Sequence, residues 1–208
     1  MRSEFAPGDV SDRWMYRTLM GTVVPRPIGW LSTVDAEGRP NLAPFSFFGV
    51  ANVDPPILHV TIGSDGEGET KDTARNIRES GEFVHNLVTR ENLDHMHDSS
   101  TPLPTDESEF DVFDIETTPS AVVEPPRVAG APVHFECSLE RTLEFPTYEM
   151  FFGRIEHVHI SESVATEEGK LDINRFEGVG RLTNGWYALL DDRIHRDSVK
   201  GEDFPKNS

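Results

Sequence analysis

The chain has 208 residues, with 37 Asp plus Glu against 19 Lys plus Arg and a formal charge of -18 at pH 7. A field of that sign repels phosphate backbones and anionic headgroups, which argues against nucleic acid and membrane as partners and obliges any anionic ligand to find its own local cations. The length suffices for one sizeable core, so a single domain over 1–208 is expected, and the lone Cys137 forms no internal disulfide, which fits a reducing compartment.

The opening MRSEFAPGDVSD has no long apolar run, and no later segment is apolar enough to span a bilayer, so the expectation is a cytoplasmic protein. Ser11 can cap a short helix through about Met20, with Gly21 ending it. Val23 to Val34 is apolar and β-branched, Asp35-Ala36-Glu37-Gly38 supplies a turn, and Asn41 to Phe48 returns with aromatics, which together read as a hairpin. Its second arm, Ala43-Pro44-Phe45-Ser46-Phe47-Phe48, is odd for a core strand. Proline donates nothing to a ladder, so Pro44 marks an edge, a bulge or a break beside flat rings and free amides. A flat heterocycle with polar edges suits such a place; plain hairpin packing is the alternative reading.

Asp54-Pro55-Pro56 is a turn and Ile57 to Ile62 a third strand; Gly63 to Gly68 is a Gly-rich acidic loop. Thr70 to Ser80 reads as a helix with Ala74 and Ile77 inward and Gly81 closing it. Glu82 to Val88 is a fourth strand, Arg90 to Met96 is helical, Ser99 to Glu109 is a polar loop, and Glu109 to Phe113 forms a helical turn. After an extended Pro119 to Pro132 come two long strands, about Val133 to Phe145 and Glu149 to Ser161. Asp172 to Phe176 reads as a short helix, Arg181 to Leu190 as a last strand, and the acidic residues after Asp191 as a tail around a core of about 16–190. Many antiparallel strands with short helices between them predict a mainly β, closed or nearly closed barrel.

The sharpest local signal for chemistry is Lys71-Asp72-Thr73 at a helix start. A helix N-terminus offers unpaired N–H groups and partial positive charge; an ammonium and hydroxyls there make a phosphate seat. Only Lys71, Lys170, Lys200 and Lys206 occur, so the placement of one at this point carries weight, although an ordinarily capped surface helix has the same pattern. Gly178-Val179-Gly180-Arg181-Leu182-Thr183 begins like a dinucleotide fingerprint but ends in Thr outside any long βαβ unit, so it reads as a turn with Arg181 as a second anion ligand. His95 and His97, and His157 and His159, are spaced two apart without a cysteine; no metal site is assigned to them. No nucleophile elbow is present, and no catalytic side chain is assigned.

Taken together the chain resembles the flavin reductase-like family, the FMN-binding split barrels that include flavoredoxin-type proteins. The segments that carry the resemblance are VVPRPIGWLSTVDAEGRPNLAPFSFFG (23–49), PPIL (55–58), KDTARNI (71–77), SGEFVHNL (80–87), PPRVAGAPVHFECSL (125–139) and RLTNGWYALL (181–190). The resemblance implies an antiparallel Greek-key split barrel and a homodimer with FMN near the subunit interface. It places Asn41, Ala43, Pro44, Phe45 and Ser46 along the isoalloxazine and ribityl side, Lys71, Asp72 and Thr73 near the phosphate, Arg26, Pro27 and Ile28 in the pocket lining, and Arg181 as an additional contact. Thr183-Asn184 stands where the family often has Gly-Gly, and Trp30 and His85 replace commonly small or aliphatic residues. The implied activity is an NAD(P)H-dependent flavin reductase, with NADH or NADPH donating hydride to FMN; the alternative is an electron carrier with no nicotinamide activity of its own.

Overall fold

The computed structural model describes residues 4–63 and 70–197. Apart from Gly63, the acidic loop expected over 63–68 lies outside the described residues, as does the tail beyond 197. In chain order the elements are α1 (Asp12–Thr22), β1 (Gly29–Val34), β2 (Pro40–Phe45), β3 (Phe48–Val53), β4 (Pro56–Gly63), α2 (Asp72–Ser80), β5 (Glu82–Asn86), α3 (Leu93–Asp98), α4 (Glu109–Val112), the two-residue β6 (Thr117–Thr118) and β7 (Arg127–Val128), β8 (Val133–Glu144), β9 (Tyr148–Ile160), β10 (Val179–Arg181) and β11 (Tyr187–Leu189).

Seven strands form one antiparallel sheet in the order β2-β1-β5-β8-β9-β4-β3. Its two edge strands, β2 and β3, are consecutive in sequence and separated only by Ser46 and Phe47. The chain leaves β1 after the Gly29–Phe45 pair, and the Phe47 carbonyl then accepts from Thr61 N–H on β4 at 2.7 Å. One continuous segment thus joins both ends of the sheet, and the barrel is split at that crossing. Pro44 is paired with Trp30 just before that crossing, on the outer edge of the sheet, where its missing N–H costs no ladder bond.

β1 is buried along its whole length because both faces are covered. Leu31 joins Phe45, Leu58, Val60, Ile62, Ile77, Phe83, Cys137 and Phe151 in the barrel interior. On its other face Trp30 joins Leu42, Met96, Phe110, Val128 and Val179 in a second core, and its indole N–H donates to Ser99 Oγ at 2.9 Å. His85 is stacked between Phe48 and Phe135, with ring centroids 4.6 and 5.6 Å away. Burial pushes its pKa down to about 4, so it packs as a neutral ring.

Four expectations need correction. Helix α1 runs through Gly21 to Thr22 instead of stopping there. β1 begins at Gly29, not Val23, because Pro25 and Pro27 have no N–H for a ladder and Arg26 pairs instead with Arg181 in an isolated bridge. Asp172 to Phe176 is not helical: the Asp172 carboxylate accepts from Asn174 N–H at 3.0 Å and holds a turn. The last strand is a hairpin of β10 and β11, since Asn184 and Gly185 take φ of 51° and 82° and reverse the chain.

Candidate functional site

β2 is an edge strand, and its outward-facing amides are dealt with one by one. Leu42 N–H points away from β1 and donates to Glu109 Oε2 at 2.8 Å. Residues two apart on a strand face the same way, so Pro40 and Pro44 occupy the other outward positions and offer no donor. Glu109 sits on α4 and is buried; burial pushes its pKa up, with the Leu42 N–H pulling it partly back. The sheet edge is closed by this device up to Pro44, and beyond it the chain opens into a cavity.

That cavity measures about 580 Å³, inside the usual range for small-molecule sites. Its lining comes from four places: Pro44 to Phe47 at the break; Lys71 at the head of α2; Arg181 to Asn184 in the β10–β11 turn; and Arg13, Tyr16, Arg17 and Met20 on α1. Thr61, Gly63 and Tyr148 complete it, with Phe47 and Tyr148 as neighbouring rings at 5.7 Å. Gly63 allows this approach: a Cβ there would lie 2.8 Å from the Tyr148 ring. Lys71 Nζ stands 5.8 Å from the centre of the Phe45 ring, so the cationic helix tip and the Phe-rich break do face one space.

Arg26 has a structural task. It is only 6 % exposed; Nη1 donates to the carbonyls of Met20 (2.9 Å) and Val23 (2.8 Å), Nη2 to that of Leu182 (2.7 Å), and Nε to Ser46 Oγ (3.3 Å). It therefore ties the end of α1, the break and the β10–β11 turn together and orients the Ser46 hydroxyl. Burial and the nearby Arg181 charge both push its pKa down. The backbone bridge between Arg26 and Arg181 (3.0 and 2.8 Å) depends on Gly180, where a Cβ would meet Pro25 Cβ at 2.6 Å. Arg181 lies over the Tyr187 ring at 4.6 Å, and its buried Nη1 has no hydrogen-bond partner. Such an orphaned donor is costly unless something accepts from it.

Among the described residues, Arg39, Arg75, Arg78, Arg90, Arg127, Arg154, Arg175 and Lys170 have a carboxylate partner, whereas Arg13, Arg17, Arg26, Lys71 and Arg181 around the cavity have none, and neither do Arg141, Arg193 and Arg196 elsewhere. In a chain of charge -18, Arg13, Arg17, Lys71 and Arg181 line one cavity, together with Arg26.

The remaining expected residues fall around it. Asn41, Ala43, Asp72 and Thr73 line an adjoining cavity of about 400 Å³ that shares Pro44, Phe45 and Lys71 with the first. Asn41 Nδ2 donates to Thr73 Oγ1 at 3.0 Å, which leaves the Thr73 O–H as a donor, and the Asp72 carboxylate is paired with Arg75 at 2.5 Å. Pro27 and Ile28 face a third, apolar cavity of about 360 Å³ beside His85, joined to the first through Arg26. Sequence reasoning missed Arg13, Tyr16, Arg17, Tyr148 and Glu109. The i, i+3, i+4, i+7 stripe of Arg13, Tyr16, Arg17 and Met20 was a usable signal for the α1 face. Among the described residues no group of three or more His, Cys, Asp or Glu is placed to hold a metal, and no helix is long and apolar enough to cross a membrane.

Residues 20–181 match the family model of the flavin reductase-like domain. The chain belongs to the flavin reductase-like family. An uncharacterized relative from Halalkalibacterium halodurans is 34% identical over 197 residues, covering 92% of this chain and 94% of its own. Two solved structures are close in fold. Nitrilotriacetate monooxygenase component B from Bacillus cereus is 29% identical with a TM-score of 0.89, over 94% of this chain and 99% of its own. The 2-nitrobenzoate 2-nitroreductase of Pseudomonas fluorescens is 28% identical with a TM-score of 0.88, over 99% and 100%. A split barrel domain protein from Shewanella frigidimarina, 18% identical over 96% of this chain and 100% of its own, shares the fold with a TM-score of 0.82.

Proposed function

We propose that this member of the flavin reductase-like family is a single-domain, cytoplasmic, homodimeric FMN-binding oxidoreductase that takes hydride from NADH or NADPH. One observation carries the reading: the cavity at the Pro44–Phe47 break gathers unpaired Lys71 and Arg181, the latter with an orphaned buried N–H, beside flat aromatic rings. That donor set fits FMN, which combines a planar apolar ring with a phosphate dianion. Phe45, Ser46 and Phe47 would hold the ring. Asn41, Ala43 and Thr73 would border the ribityl chain, and Lys71 with the N–H groups opening α2 would hold the phosphate. Asp72 serves by fixing Arg75, and Arg26, Pro27 and Ile28 serve as scaffold. When bound, FMN supplies the two-electron chemistry, accepting hydride from the nicotinamide. The protein's part is orientation, exclusion of water and donors aimed at the ring edge, for which Ser46 Oγ is positioned by Arg26. No side-chain base or nucleophile is required.

The dimer is supported by the free edge strand β3, where Val50 and Val53 are 71% and 81% exposed. The test is a titration of the purified protein with FMN, followed by anaerobic addition of NADH or NADPH. The protein should quench FMN fluorescence at one site per chain, either nucleotide should bleach the visible flavin band, and sedimentation equilibrium should return a dimer. Failure to bind FMN removes the reading; binding without bleaching leaves an electron carrier that needs a protein donor.

A further inference from the structure

The cavity carries more positive charge than one FMN phosphate uses. Lys71 and Arg181 lie near the break, but Arg13 and Arg17 come from a different element, α1, whose N-cap Ser11 accepts from Trp14 N–H and fixes the helix start. Spaced four apart, they stand one above the other on the same helix face as Tyr16 and Met20. Met20 is buried and its carbonyl receives Arg26, so the C-terminal end of α1 is anchored at the cavity wall while Arg13, Tyr16 and Arg17 stay exposed along it. Neither arginine is paired with a carboxylate among the described residues, although Asp9 and Asp12 are near in sequence and the chain holds 37 acids. Two adjacent like charges four apart on an exposed helix face repel each other weakly, and an anion bound between them would turn that repulsion into attraction. Arg181, whose buried Nη1 has no partner, lines the same cavity.

We infer that Arg13 and Arg17 form a second phosphate seat, separate from that of the flavin, and that its occupant is the phosphate-bearing adenosine half of a nicotinamide dinucleotide. The inference rests on the proposed flavin site, because the donor must share a cavity with the ring it reduces. Two planar guanidinium forks on one helix face match either the diphosphate, common to NADH and NADPH, or the 2′-phosphate of NADPH alone.

The experiment uses the FMN-loaded protein and the redox-inactive ligands NAD⁺, NADP⁺ and NMN, with binding read by calorimetry so that turnover is not involved. The R13A/R17A double variant should lose about ten-fold or more in affinity for the dinucleotide, the scale of one or two charge-assisted hydrogen bonds. Its loss for FMN, titrated into the apoprotein, should be several-fold smaller, and R13K/R17K should recover part of the dinucleotide affinity. A loss confined to NADP⁺ assigns the seat to the 2′-phosphate; equal losses for NAD⁺ and NADP⁺, with NMN unaffected, assign it to the diphosphate. The inference is overturned if the wild-type holoprotein binds neither dinucleotide, if the double variant binds both as tightly as wild type, or if FMN suffers as much as the dinucleotide. A wild-type protein that does not take up FMN sinks the flavin reading itself, which is a separate outcome.

Discussion

At the scale of single residues, the two cations nearest the break differ in what they have to lose. Lys71 is exposed and its ammonium has water as an alternative, whereas Arg181 keeps a buried N–H with no acceptor in the protein. Removing a charged hydrogen bond costs about 1–3 kcal/mol, with exposed groups at the lower end. Lys71→Ala should therefore weaken FMN by about 1 kcal/mol and leave riboflavin, which lacks the phosphate, nearly unchanged. Arg181→Ala should cost FMN more than Lys71→Ala does. Parallel titrations of both flavins against both variants check this, and equal losses of FMN and riboflavin in Lys71→Ala would reduce Lys71 to a surface residue. Arg26→Ala belongs to a different class: four donated hydrogen bonds vanish at the junction of α1, the break and the β10–β11 turn, so its effect is on the framework.

At the scale of elements, the edge of β2 shows what the sequence makes legible and what it does not. Pro40 and Pro44 announce an edge from composition alone, because a central strand does not tolerate them. The third outward position, Leu42, carries an N–H that must find a partner, and nothing near it in sequence says that Glu109, 67 residues away, provides one. Glu109→Leu should leave that buried donor unpaired and cost about 1–3 kcal/mol, while Glu109→Gln keeps an acceptor and removes a buried charge, so it should cost under about 1 kcal/mol. Urea unfolding of the two variants separates a role of the carboxylate as acceptor from mere filling of space. Most elements from α1 to β9 follow from periodicity and turn residues, but the second hairpin arm expected over Asn41 to Phe48 divides into β2 and a separate β3, and β3, β6 and β7 are not anticipated. The β10–β11 hairpin was legible in Asn184-Gly185, a two-residue turn pair, but the apolar run Trp186 to Leu190 reads as a continuation of one strand unless that pair is given priority. The shared use of Arg13 and Arg17 is a tertiary fact: an exposed helix with arginines four apart is ordinary until their lack of carboxylate partners is known.

At the scale of the whole molecule, the charge of -18 and the cationic cavity respond to salt with opposite signs. Self-repulsion among exposed acids favours the expanded unfolded chain, and it is screened over the Debye length, which falls from about 30 Å at 0.01 M to about 3 Å at 1 M. Adding salt should therefore stabilise the fold. A gain of about 1 kcal/mol corresponds to about 2–4 °C in Tm for a chain of this size. The same screening weakens attraction between the cavity cations and a phosphate, so FMN affinity should fall roughly three- to ten-fold over that range, with riboflavin far less affected. The two measurements, Tm of the apoprotein and FMN affinity, are made in the same salt series. Because the fold is held against a negative field while the site is a positive enclave within it, they must move in opposite directions. A joint rise or a joint fall would mean that the unpaired cations do not set the potential of the cavity, and that the acidic surface governs ligand binding instead.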